Sequence, residues 1–399
     1  MTTSPSPVRL RAVVLSLLAS GCAGGAAVYT GPAGPIELQP HTIDPGVIYE
    51  TRLDPVRISP PEVPLDEILA SPVFGDPDFD EAVREWVDYW QNDAAEAVPV
   101  FLGRMVSFEQ TIDSALAEKS LPASLRYLPF IESGYNTAAA SRASAVGMWQ
   151  FMAPTAQGMG MEVSRLLDER RDPIRSTEAA VDFLAELHAS FGSWFLALAA
   201  YNSGPNRVRR VLRQYAPDVE PSDSLFWELR SRFPRETRDF VPKLIGAILV
   251  AGQPAAYGYE PIESTPRFLY DPVTVPDATT LDVVARAATV SLDEIEWLNP
   301  QFVRGMTPPG RPSGLRVPEG TGATFERNYA EIPAEERVTF VEHRVEAGET
   351  LSHIAVRYGV LVADLNAANP GLRPRYLRIG SLLTVPVAPS IRGAASSGG

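Results

Sequence analysis

Displaced against itself by 70 residues, the C-terminal part of the chain falls into register. Val275, Thr280 and Leu281 lie over Val345, Thr350 and Leu351, Val284-Ala285 over Ile354-Ala355, Val290 over Val360, Ile295 over Leu365, and Asn299-Pro300 over Asn369-Pro370. After a slip of two residues, Leu315 to Pro318 meets Leu383 to Pro386. Each copy must therefore build the same small unit, and two copies make a pair of modules, not a solenoid. The unit reads strand, helix, helix, strand. In the second copy His343 to Glu346 is extended, Gly348 permits a tight turn, and Thr350 is a candidate N-cap. Leu351, Ile354, Ala355 and Tyr358 then share one helical face. In the first copy Ser291 to Glu294 is a capping box for the second helix.

The remainder divides by composition. At roughly 100–200 residues per domain, 399 residues hold two to four domains. Hydrophobic residues make up 45%, enough to bury cores. The 37 prolines and 29 glycines point to linkers, and many cluster between residue 23 and about 72, where no apolar period survives. That stretch reads as a tether with polyproline character. Ahead of it, Arg9 and Arg11 precede the apolar run Ala12 to Ala19, which is far short of the ~20 residues of a membrane span and reads as a signal-peptide core. The run closes on Ala19-Ser20-Gly21-Cys22, which resembles a bacterial lipobox. That resemblance implies a signal peptide over 1–21, an acylated Cys22 and a lipidated tether over 22–72. Ala23 after the cysteine favours the outer membrane. A formal charge of −14 argues against nucleic acid, whose phosphates need Lys and Arg to displace counterions. One cysteine excludes a disulfide framework, and the four histidines show no paired metal spacing. Only two of the 35 basic residues are lysines, Lys119 and Lys243, which reads as genomic base composition.

Residues 75 to 255 are helical by period, with Phe79, Val83, Trp86, Val87 and Trp90 on one face. Four segments there carry chemistry. In Leu121 to Gly134, Pro122 suits a first helical turn and Gly134 a C-terminal cap, while Pro129 leaves the helix between them open. Glu132 stands in the last turn, against the helix dipole, after the apolar Leu128, Phe130 and Ile131. Both effects raise a carboxyl pKa, and a carboxylic acid protonated near neutral pH suits a glycosidic leaving group. The second segment, Gly147 to Ala156, offers a glycine for close backbone approach, core candidates Trp149 and Phe151, and Gln150 with a planar donor and acceptor. The third, Leu198 to Asn206, carries Tyr201 and Asn202 to a helix end; the fourth runs from Glu236 to Lys243. Asp168, Glu169 and Asp172 beside Arg170 and Arg171 read as a solvated, ion-paired turn.

The repeat strongly resembles the LysM module, which binds the N-acetylglucosamine backbone of peptidoglycan or chitin. The resemblance implies a glycan-binding module over 341–387, with Gly348, Glu349, Thr350, Leu351, Asn369 and Pro370 lining its groove. Over 268–320 it implies a degenerate copy, in which Ala278 replaces the turn glycine, leaving sugar binding and mere packing both open. The four central segments, in order, resemble the goose-lysozyme-like lytic murein transglycosylases, and with tether and LysM the D-type membrane-bound enzymes. That implies a mainly α lysozyme-like catalytic domain over 73–260, small α+β (βααβ) LysM modules behind it, and a disordered tail over 388–399. It implies cleavage of the MurNAc–GlcNAc β-1,4 bond of peptidoglycan with 1,6-anhydromuramoyl ends, at the periplasmic face of the outer membrane, with neither metal nor other cofactor. Glu132 is then the sole acid/base and Ser133 its neighbour. Met148, Gln150, Tyr201 and Asn202 are sugar contacts, and Phe240 stands where the family usually has a tyrosine. Two rivals stay open: a hydrolytic muramidase with the same site, and a non-catalytic wall-binding lipoprotein.

Overall fold

A computed structural model describes residues 66–386, apart from Arg165, 261–265, Gly359, 370–371 and 373–376. The segments expected to be a signal peptide, a lipidated tether up to residue 65 and a tail, with Cys22 and Pro370, lie outside the described residues. The rest is mainly α, followed by two small strand pairs.

The helical domain is built around α6 (Trp194–Ser203). Its sequence is apolar all round, so it can only be a central helix; every side chain from Trp194 to Ala200 is buried. Ser193 caps it, its hydroxyl accepting from the Leu196 amide. Around it run α1 (Pro77–Gln91), α2 (Val98–Glu118), the short α3 (Leu128–Ser133) and α4 (Ala153–Gly158), α5 (Pro173–Phe191), α7 (Pro205–Tyr215), α8 (Asp223–Leu229) and α9 (Arg235–Gly252). Helix α1 lies along α9, where Gly246 admits Trp86: a Cβ there would stand 2.9 Å from the Trp86 Cβ. No helix among the described residues is long and apolar enough to cross a membrane.

The domain begins earlier than residue 73. Ile68, Leu69 and Val73 are buried in the helical core. The Asp66 carboxylate accepts from the Ile68 amide at 3.1 Å and the Ser124 amide at 2.7 Å. The Glu67 carboxylate accepts from the Trp194 indole at 2.7 Å. Prolines at 60, 61, 64 and 72 hid this segment, because their density masks a short apolar anchor.

Both modules have the strand–helix–helix–strand order of the repeat. In the first, β1 (Tyr270–Val275) pairs antiparallel with β2 (Ser313–Pro318), Val273 opposite Leu315, and α10 (Leu281–Ala288) and α11 (Leu292–Leu298) cover them. The Ser291–Glu294 capping box is formed. One further helix, α12 (Gly322–Ala330), puts Phe325 and Tyr329 into the same core, so this module extends past residue 320. In the second, β3 (Phe340–Arg344) pairs with β4 (Leu382–Pro386), His343 opposite Leu383, around α13 (Leu351–Tyr358) and α14 (Val362–Ala367).

Ile68→Ala is expected to destabilise the helical domain by about 2–5 kcal/mol, the range for truncating a fully buried aliphatic side chain. Denaturant unfolding of the full chain measures it.

Candidate active site

A 3₁₀ turn (Ala123–Tyr127) leads into α3, and Pro129 sits in its first turn, where a missing amide costs nothing. Gly134 ends the helix at φ +58°; a Cβ there would fall 2.2 Å from the Phe101 ring. This tight stop leaves Leu128, Phe130 and Ile131 in the core and Glu132 on the rim. Burial pushes the Glu132 carboxyl up to about 7; Lys243 opposes the shift and Glu236 adds to it.

Facing it is the loop Gly147 to Phe151. Gly147 has φ +86°, and a Cβ would stand 1.8 Å from the Arg170 carbonyl oxygen, so the position admits only glycine. Trp149 and Phe151 are core, and the Trp149 indole donates to the Thr177 hydroxyl at 3.0 Å. The carbonyls of this loop are held from several elements. Ser133 Oγ donates to Met148 O at 2.7 Å, Tyr201 Oη to Trp149 O at 2.7 Å, and Arg170 Nη1 to Phe151 O at 3.2 Å. Gln150 is at φ +53° and folds its amide back onto Gly147 O at 2.8 Å.

Three of the four motifs therefore meet at this loop, and several of their polar side chains bond to its backbone. The Ser133 and Tyr201 hydroxyls tie the loop to α3 and α6. The Met148 side chain is fully buried and offers only its carbonyl, already taken. Burial, and then the nearby Glu132 charge, keep the Tyr201 phenol well above its ordinary range, so it acts as a neutral donor. Asn202 closes the site against the fourth motif: its Oδ1 accepts from Thr237 Oγ1 at 2.8 Å, and its amide reaches Glu236 at 3.4 Å. Phe240 is buried in α9 and brings no polar group.

Lys243 is the site residue that sequence reasoning passed over. Its ammonium donates to Ile131 O at 3.0 Å, beside Glu132, and lies over the rings of Trp86 and Trp90 at 5.6 and 5.9 Å. Burial lowers its pKa, against the pull of Glu132 and Glu236. The available signal was its rarity: in a chain that otherwise uses arginine, a lysine in an apolar helix is a choice of a compact point charge over a planar fork.

The turn Asp168 to Asp172 is ion-paired but not solvated. Asp168, Arg170 and Asp172 are all buried. Arg170 pairs with Asp168 at 2.8 Å and grips Ser144 O and Phe151 O, so its charge is committed beneath the loop.

In the second module Gly348 and Thr350 are exposed, and Thr350 caps α13 through the His353 amide at 3.3 Å. Leu351 is buried. The Glu349 carboxylate is committed to His343 at 2.6 Å, to Arg357 at 2.9 Å and to the Glu346 amide at 2.7 Å. Asn369 is a clamp: its amide donates to Leu365 O and Thr384 O, and its Oδ1 accepts from the Thr384 amide. Asn299 makes the same three bonds to Ile295 and Arg316 in the first module. The shared Asn-Pro motif thus fastens the second helix to the last strand.

The fold and site define a mainly α domain that holds one protonatable carboxyl group beside a rigid backbone loop. Residues 110–219 match the Transglycosylase SLT domain, 270–334 the LysM-like domain of lytic transglycosylase MltD, and 343–386 the LysM domain. The chain is similar to membrane-bound lytic murein transglycosylase D of Escherichia coli, 29% identical over 298 residues, covering 72% of this chain and 65% of the relative. It thus spans just under two thirds of the length of that curated relative. A putative tributyltin chloride resistance protein of an Alteromonas strain is 36% identical over 111 residues, 28% of this chain and 54% of that protein. Among solved structures, an inactive mutant of lytic transglycosylase Slt from Pseudomonas aeruginosa is 24% identical with a TM-score of 0.31, over 38% of this chain and 25% of that one. The 70 kDa soluble lytic transglycosylase of Escherichia coli is 23% identical with a TM-score of 0.32, over 38% and 24%.

The raised carboxyl pKa carries a stability consequence. Between the ordinary value of 4.5 and about 7 the folded state holds a proton that the unfolded chain has released, so stability falls as pH rises through this window. Glu132→Gln keeps the neutral shape and escapes the loss. Its stability is expected to match the parent near pH 4.5 and to exceed it above pH 7 by roughly 3 kcal/mol, as measured by denaturant unfolding at both pH values.

Proposed function

We propose that this chain is a peptidoglycan lytic transglycosylase that cleaves the MurNAc–GlcNAc β-1,4 bond and leaves 1,6-anhydromuramoyl ends. The observation that carries the reading is a carboxyl group displaced to about 7 by burial, within an SLT domain. Glu132 in its acid form donates its proton to the glycosidic oxygen as the bond to the anomeric carbon breaks. The N-acetyl carbonyl of the same sugar stabilises the cationic carbon, a substrate-assisted route that dispenses with a carboxylate nucleophile. Glu132, now a carboxylate, takes the proton of the muramyl 6-hydroxyl as that oxygen closes on its own anomeric carbon. Lys243 supports this second state, since its charge favours the carboxylate that the apolar surroundings oppose. In this reading Asn202 and the Gln150 edge orient the N-acetyl group. The LysM domain holds the polymer and raises its effective concentration at the cleft. A lipid on Cys22 would fix the whole at the periplasmic face of the outer membrane.

Water as acceptor would make the protein a muramidase. A hydrolase of that kind commonly places a second carboxylate to hold water, and Glu236 is the acid that faces this site. It is exposed and bonded to Asn202. An intramolecular hydroxyl has an effective molarity of about 10⁵ M or more when pre-oriented, so the 6-hydroxyl outcompetes water.

Mass analysis of digested sacculi is expected to yield muropeptides one water lighter than hydrolysis products, without new reducing ends. Glu132→Gln is expected to lower the rate by about 10²–10⁴-fold while the protein stays folded. Reducing muramic acid as the main terminus would overturn the transglycosylase reading and bring Glu236 forward. Lys243→Met removes the charge that opposes the upward shift of Glu132, so the alkaline limb of kcat/KM is expected to move to higher pH. A limb that stays in place would mean Lys243 only packs.

A further inference from the structure

We infer that the first LysM-like module is a buttress for the active-site loop and not a glycan-binding unit, with Arg316 of β2 positioning the Gly147–Phe151 loop through Asp172.

The groove that would hold sugar in this module is filled by the chain itself. By the repeat register, the groove residues of the second copy, Gly348 to Leu351, correspond to Ala278 to Leu281. Those positions are bonded internally. The Leu281 amide donates to Gly305 O at 2.8 Å, the Thr280 amide to Arg337 O at 3.0 Å, and the Thr307 amide to Thr279 O at 2.9 Å. The Thr280 hydroxyl meets that of Thr339 at 3.0 Å, and the Thr279 hydroxyl meets Tyr329 at 2.7 Å. Thr279, Thr280 and Thr307 have no exposed surface, whereas Thr350 in the second copy is open. A saccharide would have to displace two stretches of chain and leave their buried polar groups unpaired.

The same module is built into the catalytic domain. Phe268 and Leu298 belong to the helical core, and the Phe268 ring lies 5.4 Å from Phe108 of α2. Beside this apolar seam, Arg316 Nη2 donates to both Asp172 oxygens at 2.8 Å, and both side chains are almost wholly buried. The Asp168 amide donates to Gln301 O at 2.9 Å.

Asp172 links the module to the loop. Its Oδ1 also caps α5 through the Ile174 and Arg175 amides. One turn further, Thr177, whose hydroxyl donates to Pro173 O at 2.6 Å, receives the Trp149 indole. On its other side the turn places the Arg170 carbonyl against Gly147 and the Arg170 guanidinium on Ser144 and Phe151. One buried cation from the module therefore fixes the strut that holds both flanks of the loop. Arg316 touches no reacting atom; it is a positioning residue.

The test uses the full chain, and its kinetic arm rests on the transglycosylase reading, whereas hydrogen exchange does not. Arg316→Met is expected to speed exchange at the Val146, Gln150 and Phe151 amides by about 10-fold or more, with Leu198 and Ile248 in the core unchanged. It should lower kcat on soluble glycans by a similar factor with KM within about two-fold, and Arg316→Lys should recover part of both. If the single change unfolds the β1–β2 pair, Arg316→Met with Asp172→Asn removes both charges together, so no buried charge is left without its counter-ion. The amide oxygen of the replaced side chain still caps α5, and the same loosening is expected. Parental exchange at the loop amides in a folded variant would overturn the proposal, whatever the activity. Titration with a pentamer of N-acetylglucosamine should leave the Thr279, Thr280 and Leu281 amide signals in place; shifts there would equally overturn it.

Discussion

The candidate active site depends on one contact between backbone atoms. The Arg170 carbonyl occupies the space where any side chain at position 147 would begin. That approach lets the loop lie flat on the turn beneath it, and the hydroxyls of Ser133 and Tyr201 can then reach its carbonyls from α3 and α6. Three helices and a turn are thereby tied to five consecutive residues. A site that positions a bound group to within about half an ångström, as the proposed function requires, gains from such rigid support. Remove the contact and the tyrosine and serine lose their partners together.

On this frame the electrostatics of Glu132 are a balance of opposed effects. The apolar neighbours that make α3 fold inward also strip water from the carboxyl, which favours the proton. Lys243, held by Ile131 O and two indole rings, pulls the other way. A group that must first give a proton and then take one needs a pKa near the working pH. Burial alone would overshoot and an exposed ion pair would undershoot. The lysine is itself buried and bonded to the residue before the acid, so neither group can relax without the other.

Local pattern made much of this legible. The repeat offset fixed both modules, the capping box at Ser291 formed, and the apolar run before Glu132 correctly pointed to a carboxyl with a raised pKa. Roles that depend on distant partners were not legible. Ser133, Tyr201 and Asn369 sit where their motifs put them, yet their polar atoms serve the backbone, because a buried carbonyl without a donor is costly. Glu349 is likewise committed to His343 and Arg357. The turn Asp168 to Asp172 reads as surface from its charges, and partners far along the chain, the Phe151 carbonyl for Arg170 and Arg316 for Asp172, explain why it is buried. The anchor at Ile68 was hidden by the prolines around it.

The central claim, that this fold keeps one carboxylic acid protonated near neutral pH, is open to direct measurement. Carbon NMR of the full chain labelled at glutamate carboxyls, with Glu132→Gln to assign the signal, follows the ionisation of Glu132 itself. A midpoint near 7 is the result the account requires. A midpoint near the ordinary 4.5 would mean the carboxyl is ionised at working pH and cannot be the acid that breaks the glycosidic bond.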